Sequence, residues 1–367
     1  MDIALVPWPV HLLGKLIYSS PWLFTEMGDL ETSLVAKSVR QIPIDRPVFI
    51  AGLARSGSTL LLEIAASHPQ AATHRNRDFP LVHAPIWWNK VVDMIPGHGG
   101  PPKERPHGDR MMVTGESPEA MEEPIWMAFF PHLHDPAVDN TLGRDSANRA
   151  FEEFYMDHIR KILHLRDGAR YISKGNYNVS RIGYLARLFP DARFIIPVRS
   201  PVAHIGSLLR QHHRFTQIHR ASSRALASMR QGGHFEFGLD LRPINLGGPN
   251  TPDGEQLRRA MLSEDRNTLL HGWAEYWRNI HSHIHTLLES DADIKARAMV
   301  VRFEDMLQAP ERTIQSYLSF IGLEDDAIQA RYASRVFAPD YYDPGFKYEE
   351  VALIMKETAG VRESFGY

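Results

Sequence analysis

The chain has 367 residues, of which 43% are hydrophobic, enough for one large core or two modest ones. Its formal net charge of −3 argues against the broad positive field with which proteins bind nucleic acids. Cysteine is absent, which excludes disulfides, thiolate nucleophiles and cysteine metal ligands, and leads us to expect a cytoplasmic location.

Residues 1–45 predict an N-terminal helical arm. No basic region precedes the first apolar stretch, so it is not expected to be a signal peptide. No apolar run approaches the roughly 18 residues that span a bilayer. Trp8, Leu12, Leu13 and Trp22 leave contact with a membrane surface open, but the scarcity of lysine and arginine favours an arm packed on the rest of the chain.

Residues 28–41 predict a helix within this arm. Leu30, Leu34, Val35 and Val39 recur at helical spacing, and prolines follow shortly afterwards.

The next segment, residues 46–68, has the layout of a strand, a glycine-rich turn and a helix. The apolar residues 48–51 precede GLARSGST at 52–59, and a second apolar run begins at Leu60. Such a turn directs backbone N–H groups and a helix N-terminus towards an anion. The segment therefore predicts a site for a phosphate-like group.

The spacing in this turn is that of a Walker A loop with one departure. Gly52, Gly57 and Thr59 hold the expected positions, but Ser58 stands where the motif has lysine. That lysine contacts the β- and γ-phosphates of a nucleoside triphosphate, so its absence argues against ATP or GTP hydrolysis. Arg55 places a cation inside the turn instead.

These residues resemble the 5′-phosphosulfate loop of sulfotransferases that use 3′-phosphoadenosine 5′-phosphosulfate (PAPS), usually P-[RK]-[ST]-G-[ST]-T. Ala54 replaces the usual proline. The resemblance is to the bacterial branch, with some likeness to tyrosylprotein sulfotransferases. It implies PAPS as the co-substrate, held by the loop residues Arg55, Ser56, Gly57, Ser58, Thr59 and Leu60.

Further along the chain, strands and helices alternate. Residues 91–115 predict a long surface loop, and residues 147–165 an amphipathic helix. A short strand at 171–173 ends in Lys174, and a helix is expected at 179–189. The alternation predicts parallel strands joined by crossover helices, and so an α/β three-layer sandwich with a short parallel sheet and a P-loop-like turn.

A second anion site is predicted where the strand at 193–198 ends. Arg199 follows this strand, and Ser207 lies eight residues later on the next predicted helix. A guanidinium and a hydroxyl so placed can bind one phosphate together. The pair resembles the 3′-phosphate site of sulfotransferases, which implies a nucleotide with phosphates at both ends of its ribose.

The remaining chain completes one predicted domain spanning residues 1–367. Residues 211–260 have weak periodicity and predict a substrate-side insertion, helical at first and then looped. Residues 264–289 predict a strong helix, and residues 298–303 a third clear strand. A helix at 310–321 follows.

Sulfuryl transfer is in-line attack on sulfur, and it depends on positioning and charge stabilisation. The sulfuryl group carries less negative charge than a phosphoryl group, so we expect no metal. The family resemblance implies that Lys174 stabilises the leaving phosphate.

The general base is harder to predict. Cytosolic sulfotransferases have a histidine two residues after the lysine, where this chain has Asn176, and the glutamate of tyrosylprotein sulfotransferases is also missing. A carboxylate can replace them if partial burial raises its pKa. We expect Asp78, or else Glu116, with His74 and His83 as weaker candidates.

Three functions remain open at this stage. A sulfotransferase acting on a hydroxyl, or an amine, of a glycan, lipid-linked, peptide or small-molecule acceptor fits best. A nucleotide-dependent kinase with a degenerate loop would require magnesium and ATP. A non-catalytic nucleotide-binding module would bind PAPS without a base. The sequence indicates neither the acceptor nor the oligomeric state.

Overall fold

The computed structural model describes residues 7–95, 101–104, 112–247, 253–336 and 344–367. Within these ranges, no helix combines the length and the hydrophobicity that a membrane crossing requires. Of the predicted surface loop at 91–115, residues 96–100 and 105–111 lie outside the described residues, and the described part contains the end of a helix and two short antiparallel strands.

Seven strands and seventeen α-helices make up the described part of the chain. The strands are β1 Val48–Ala51, β2 Ala71–Ala72, β3 Lys103–Glu104, β4 Met112–Val113, β5 Arg170–Gly175, β6 Arg193–Val198 and β7 Ala298–Arg302. The first nine helices are α1 Trp8–Ser19, α2 Pro21–Val39, α3 Ser58–Ala66, α4 Pro85–Asp93, α5 Glu123–Phe129, α6 Arg149–Arg166, α7 Ile182–Leu188, α8 Pro201–Ala221 and α9 Ser223–Gln231. The others are α10 Gly254–Met261, α11 Arg266–Ser290, α12 Ala292–Ala296, α13 Phe303–Gln308, α14 Pro310–Ile321, α15 Asp326–Ala333, α16 Tyr348–Glu357 and α17 Val361–Ser364.

Five of the strands form one parallel sheet in the order β2-β5-β1-β6-β7. The predicted strands β1, β5, β6 and β7 are confirmed. β2 was not predicted, because two residues are too few to show an alternating pattern. All these strands end at the same edge of the sheet, where ligands bind in open α/β folds.

Helices cover both faces of the sheet, which makes the fold the predicted α/β three-layer sandwich. Side chains on a strand alternate between faces, and β1 follows this rule. Phe49 and Ala51 pack into the larger core with α5–α8 and α11, whereas Val48 and Ile50 pack into the smaller core with α3, α14 and α15. β1 is therefore buried on both sides and fixed at the centre of the sheet.

The predicted helix at 28–41 is part of α2, but its leucines lie on the exposed side. Leu30 and Leu34 are 54% and 69% exposed. The helix instead buries Phe24 and a polar residue, Glu31, whose Oε2 lies 3.1 Å from Nζ of the buried Lys161 on α6. An ion pair replaces an apolar contact here, which hydrophobic periodicity cannot detect.

The segment at 211–260 begins as the end of α8 and continues as α9, then becomes irregular before α10. It is helical at first and looped later, as predicted, although residues 248–252 lie outside the described residues. The predicted helix at 179–189 is a 3₁₀ turn at Asn176–Ser180 followed by α7.

Candidate functional site

The turn between β1 and α3 forms one side of the candidate site. Gly57 is the N-cap of α3 and provides no side-chain cap. The first turn of the helix contains Ser58, Thr59 and Leu60, and two of these, Ser58 and Thr59, line a cavity of about 310 Å³. The positive end of the helix dipole is thus directed at the cavity.

Two glycines of this turn have steric reasons to be glycine. A Cβ atom on Gly52 would lie 2.6 Å from Cγ of Pro197 on β6. Gly57 has a φ of +100°, and a Cβ atom there would lie 2.9 Å from Cδ2 of Phe303. Arg55 also adopts a left-handed conformation, with φ of +71°, which is uncommon for a residue with a side chain. Such backbone geometry is concentrated at ligand-binding turns.

The two predicted anion sites lie next to each other. Nε of Arg55 donates to Oγ of Ser207 over 3.3 Å, and Nη1 of Arg199 donates to the backbone oxygen of Arg55 over 3.2 Å. Arg199 also stacks its guanidinium over the ring of Phe303 at 4.8 Å. The structure therefore joins both predicted cations and the predicted hydroxyl in one network.

His204, which was not predicted from the sequence, supports this network. Its ring is fully buried, and Nε2 lies 2.9 Å from the backbone oxygen of Ala54 in the turn. Its Nδ1 accepts a hydrogen bond from Nε1 of Trp277 over 3.2 Å. Burial lowers the pKa of His204 well below its usual value, so the ring is neutral and donates from Nε2. The sequence feature that could have indicated His204 is its position on α8, one helical turn before Ser207.

Lys174 lies at the carboxyl end of β5, beside β1 in the sheet. Its Nζ is 3.7 Å from Oε1 of Glu119, and both residues line the cavity. Glu119 is held where its backbone N–H bonds the oxygen of His74. Glu116, three residues earlier, was a candidate base from the sequence, whereas Glu119 was not predicted.

A second carboxylate faces the same cavity. Nδ2 of Asn176 donates to Oε1 of Glu236 over 2.7 Å, and Nδ1 of His234 lies 3.7 Å from Oε2 of Glu236. Burial opposes the charged form of each partner, but their mutual interaction outweighs it. The pKa of His234 is therefore raised, and that of Glu236 is lowered.

Neither His234 nor Glu236 was predicted from the sequence as a site residue. One signal was available for Glu236, which is the first acidic residue after a run, residues 192–235, without aspartate or glutamate.

The rest of the cavity wall is mainly apolar. Five large side chains from α8, α9 and three loops contribute to it: Phe79, Met121, Phe215, Met229 and Phe237. The cavity therefore has a charged end at the sheet edge and an apolar body.

Asp78, the preferred base from the sequence, lies in a different environment. Its carboxylate is fully buried and accepts hydrogen bonds from Arg166 over 2.5 Å, from the backbone of Arg75 over 2.9 Å and from Asn89 over 2.9 Å. His74 donates to it over 3.1 Å. Although burial raises the pKa of Asp78, these partners hold it well below its usual value. Asp78 is not among the residues that line the cavity.

Glu116 also lies away from the cavity lining. Its carboxylate pairs with Arg75 over 2.5 Å and with Arg77 over 2.8 Å at the surface. Burial alone would raise the pKa of Glu116, but the two arginines outweigh this effect and lower the pKa below its usual value. The other histidine candidates, His74 and His83, are fully buried, and neither lines the cavity.

Among the residues that the structure describes, no group of three or more histidine, aspartate or glutamate side chains is arranged to hold a metal ion. Arg55 and Lys174 line the cavity, and Arg199 contacts the turn beside it, so these three cations can neutralise an anion there. The arrangement can therefore hold an anionic group by protein cations and backbone N–H groups.

A family model described as the sulfotransferase family matches residues 47–232, slightly more than half of the chain. The match includes the turn, Glu119, Lys174, Arg199 and Ser207, and ends just before His234. A comparison with curated proteins finds no match.

Several solved structures are similar to this chain. Sulfotransferase STF9 from Mycobacterium avium is 15% identical, with 89% of this chain and 80% of that chain covered and a TM-score of 0.49. Sulfotransferase STF1 from Mycobacterium tuberculosis is 15% identical, with 90% and 81% covered and a TM-score of 0.46. A sulfotransferase domain from the curacin biosynthetic pathway is 14% identical, with 88% and 98% covered and a TM-score of 0.41.

Proposed function

The chain belongs to the sulfotransferase family, and we propose that it transfers the sulfuryl group of PAPS to a hydroxyl group of an acceptor. One observation carries the proposal. The anion-binding turn, Lys174 and the carboxylate of Glu119 line a single cavity at the carboxyl edge of the parallel sheet. This combination supplies a binding site for the sulfuryl donor, a cation for the leaving group and a proton acceptor.

The residues present fit PAPS. Arg55 and the N–H groups at the start of α3 would hold the 5′-phosphate, as backbone groups do at helix N-termini. Arg199 and Ser207 would hold the 3′-phosphate. The contacts of 3.3 Å and 3.2 Å that join these side chains to the turn suit a ligand with anionic groups at both ends of one ribose. Ser58 stands where a Walker A loop has the lysine that contacts the β- and γ-phosphates. Its presence favours PAPS over a nucleoside triphosphate.

Lys174 acts on the leaving group in this proposal. As the acceptor oxygen bonds to sulfur, the bond from sulfur to the bridging oxygen breaks, and its electron pair stays on the 5′-phosphate. The ammonium group of Lys174 stabilises this charge, which develops only in the transition state. Binding of the anionic sulfuryl donor beside Lys174 would weaken its contact with Glu119.

We propose Glu119 as the general base. Its Oε1 lies 3.7 Å from Nζ of Lys174, and its side chain lines the cavity in which the acceptor must bind. It takes the proton of the attacking hydroxyl group. Asp78 and Glu116 remain alternatives from the sequence, but their carboxylates are engaged by arginines outside the cavity lining. A base must come within hydrogen-bond distance of the proton it takes, and this favours Glu119.

His234 is less suited to accept the proton. Burial alone would lower the pKa of His234, but Glu236 and Glu119 outweigh this effect. They raise the pKa and so favour the imidazolium form. A cation in this place is suited to contact the sulfuryl oxygens. Asn176 and Glu236 would then fix the orientation of the ring.

The acceptor is proposed to be an alcohol or a phenol with an apolar body. Phe79, Met121, Phe215, Met229 and Phe237 form apolar walls, which favour such a molecule over a sugar. A sugar would leave several hydroxyl groups without partners against these walls.

Titration calorimetry tests the sulfuryl-donor assignment first. Adenosine 3′,5′-bisphosphate, the product left after transfer, should bind tightly without a metal, and ATP with magnesium should bind weakly. Preference for magnesium and ATP would overturn the proposal in favour of a kinase. Transfer from sulfur-labelled PAPS to long-chain alcohols, simple phenols and sugars then tests the reaction; binding without any transfer would favour a non-catalytic module.

A further inference from the structure

The N-terminal helices expose several large apolar side chains. Trp8, Leu12 and Leu16 follow each other at four-residue spacing on α1, and are 60%, 55% and 51% exposed. Trp22 and Leu23, in the first turn of α2, are 67% and 43% exposed. We call these five residues the apolar stripe. Contiguous exposed apolar side chains mark interaction surfaces, whereas scattered ones do not.

The opposite side of α1 is attached to the rest of the molecule. His11, Gly14 and Ile17 are buried. Nδ1 of His11 lies 3.3 Å from Oγ of Ser228 on α9, and a Cβ atom on Gly14 would lie 2.4 Å from Oε1 of Gln231 on the same helix. The apolar stripe is therefore presented outward by a helix that is already packed, and is not available to fold back.

α1 carries one cation, Lys15, and α9 adds arginines beside it. An open groove of about 700 Å³ separates the two helices, and Lys15, Arg224 and Arg230 line it. The guanidinium of Arg224 lies 5.8 Å from the ring centre of Trp8. Arg230 is partly neutralised, because its Nε lies 2.6 Å from Oδ2 of Asp240. The groove thus has cations directly beside the apolar stripe.

The two stretches of sequence that contribute α1, the start of α2 and α9 contain no acidic residues, although Asp240 from outside them pairs with Arg230. Neither residues 7–25 nor residues 192–235 contain aspartate or glutamate, while arginine recurs at 210, 214, 220, 224 and 230. Further along α2, the exposed side chains include Glu26 and Asp29, so the cationic surface ends there. A helix with an apolar face and adjacent cations has the composition of an interfacial membrane anchor.

We propose that the apolar stripe and the α1–α9 groove bind the surface of a bilayer that contains anionic phospholipids. The stripe enters the boundary between head groups and acyl chains, where Trp8 and Trp22 have their preferred environment. Lys15 and Arg224 bind lipid phosphates beside it. The apolar side chains alone would also suit a protein partner. The cations Lys15 and Arg224 beside them favour an anionic lipid surface instead.

The position of this surface gives the membrane contact a consequence for catalysis, which rests on the proposed function. α9 separates the groove from the cavity: Arg224 and Ala227 line the groove, whereas Ser228 and Met229 line the cavity. The cavity therefore lies one helix away from the membrane-bound surface. An alcohol or phenol dissolved in the bilayer has a short route to the cavity.

Co-sedimentation of the full chain with vesicles tests the membrane contact independently of any activity. Binding should be strong for vesicles that contain phosphatidylglycerol and weak for pure phosphatidylcholine, and it should fall at about 0.5 M salt, where charges are screened. The double variant Leu12→Gln/Leu16→Gln should lower the partition coefficient about tenfold or more, because it removes two inserted side chains.

The matched control is Leu30→Gln/Leu34→Gln. It replaces two equally exposed leucines on α2, beyond the acid-free surface, and should leave binding unchanged. Both double variants alter exposed side chains only, so their thermal unfolding should match that of the parent chain. The proposal would be overturned if L12Q/L16Q bound vesicles as strongly as the parent chain. It would also be overturned if the parent chain bound neither kind of vesicle. A dimer in light scattering that only L12Q/L16Q dissociates would assign the stripe to a second copy of the chain instead.

These tests distinguish a failure of the proposed membrane contact from a failure of the proposed sulfuryl transfer. Loss of transfer with intact vesicle binding would contradict the proposed function alone. Loss of vesicle binding with intact transfer to a water-soluble phenol would contradict the membrane contact alone.

Discussion

Nζ of Lys174 lies 3.7 Å from Oε1 of Glu119, at the edge where β5 ends and the cavity begins. The two residues come from segments 55 positions apart in the chain, so their proximity is a product of the fold. A cation for the leaving group and a carboxylate for the attacking hydroxyl group must lie close to one sulfur atom. This contact provides that arrangement.

The first prediction concerns Glu119→Gln. The amide keeps the size of the side chain but cannot accept the hydroxyl proton, so kcat should fall about 10²- to 10⁴-fold. The dissociation constant for adenosine 3′,5′-bisphosphate should change little, because the proposed sulfuryl-donor contacts come from the turn, Arg199 and Ser207. Steady-state kinetics and calorimetry on the same preparation measure both quantities.

Glu116→Gln is the matched control for this prediction. Glu116 bonds Arg75 and Arg77 at the surface, and its loss should leave kcat nearly unchanged. A larger loss of kcat in Glu116→Gln than in Glu119→Gln would instead identify Glu116, the second candidate from the sequence, as the base. His234→Gln should reduce kcat less than Glu119→Gln does; the reverse order would identify the imidazole as the base.

The candidate site could be predicted from the sequence only in part. The turn at 52–59 and the cation at Arg199 were found because each is read from neighbouring residues at the end of a strand. Glu119 and Glu236 were missed because their roles depend on which loop residue faces the cavity. Loops have no periodicity from which that direction can be inferred. Glu116, three residues away, therefore looked equivalent in sequence although it faces the surface.

The second prediction concerns the sulfuryl-donor site. Arg199→Ala should weaken binding of adenosine 3′,5′-bisphosphate about 10- to 100-fold, because a hydrogen bond to a charged group contributes about 1.5–3 kcal/mol. Arg55→Ala should have an effect of the same order. Arg193→Ala at the opposite end of β6 is the control, since its side chain stacks on Phe320 away from the turn. Unchanged affinity in both Arg199→Ala and Arg55→Ala would be incompatible with the proposed site.

The third prediction assigns a structural role to Asp78. Asp78→Asn should lower the free energy of unfolding by about 3 kcal/mol or more, because it leaves the buried Arg166 without its carboxylate partner. Asp93→Asn, which breaks an exposed ion pair with Arg77, should cost at most about 1 kcal/mol. Urea titrations of both variants make the comparison. A stable Asp78→Asn variant with intact PAPS binding and no turnover would support Asp78 as the base instead.

The fold was predicted more completely than the site, for a physical reason. β1, β5 and β6 lie at the centre of a covered parallel sheet, so their apolar runs are distinct in sequence. α2 shows the limit of this approach. Its inner face carries Glu31, which pairs with the buried Lys161 of α6, while Leu34 faces outward. A long-range ion pair has no local signature, so hydrophobic periodicity does not indicate which face of this helix is buried.

The fourth prediction is a loss of stability in acid. His83, His158, His204, His212 and His281 are all buried, and burial lowers the pKa of each, to about 4 for His83, His212 and His281. An unfolded chain binds protons at these histidines with a pKa near 6.5, whereas the folded chain stays neutral there. Protons therefore favour the unfolded state as the pH falls from about 7 towards 4.

Each histidine with a pKa of about 4 should contribute a loss of about 2 kcal/mol between pH 7.5 and pH 5, from the linkage of proton binding to unfolding. Urea titrations at several pH values should show this loss. His281→Phe preserves the stacking on Trp277, whose ring centre lies 3.8 Å away, and should remove one such contribution from the pH dependence. Stability that is independent of pH between 7.5 and 5 would show that these histidines take up protons without unfolding the chain.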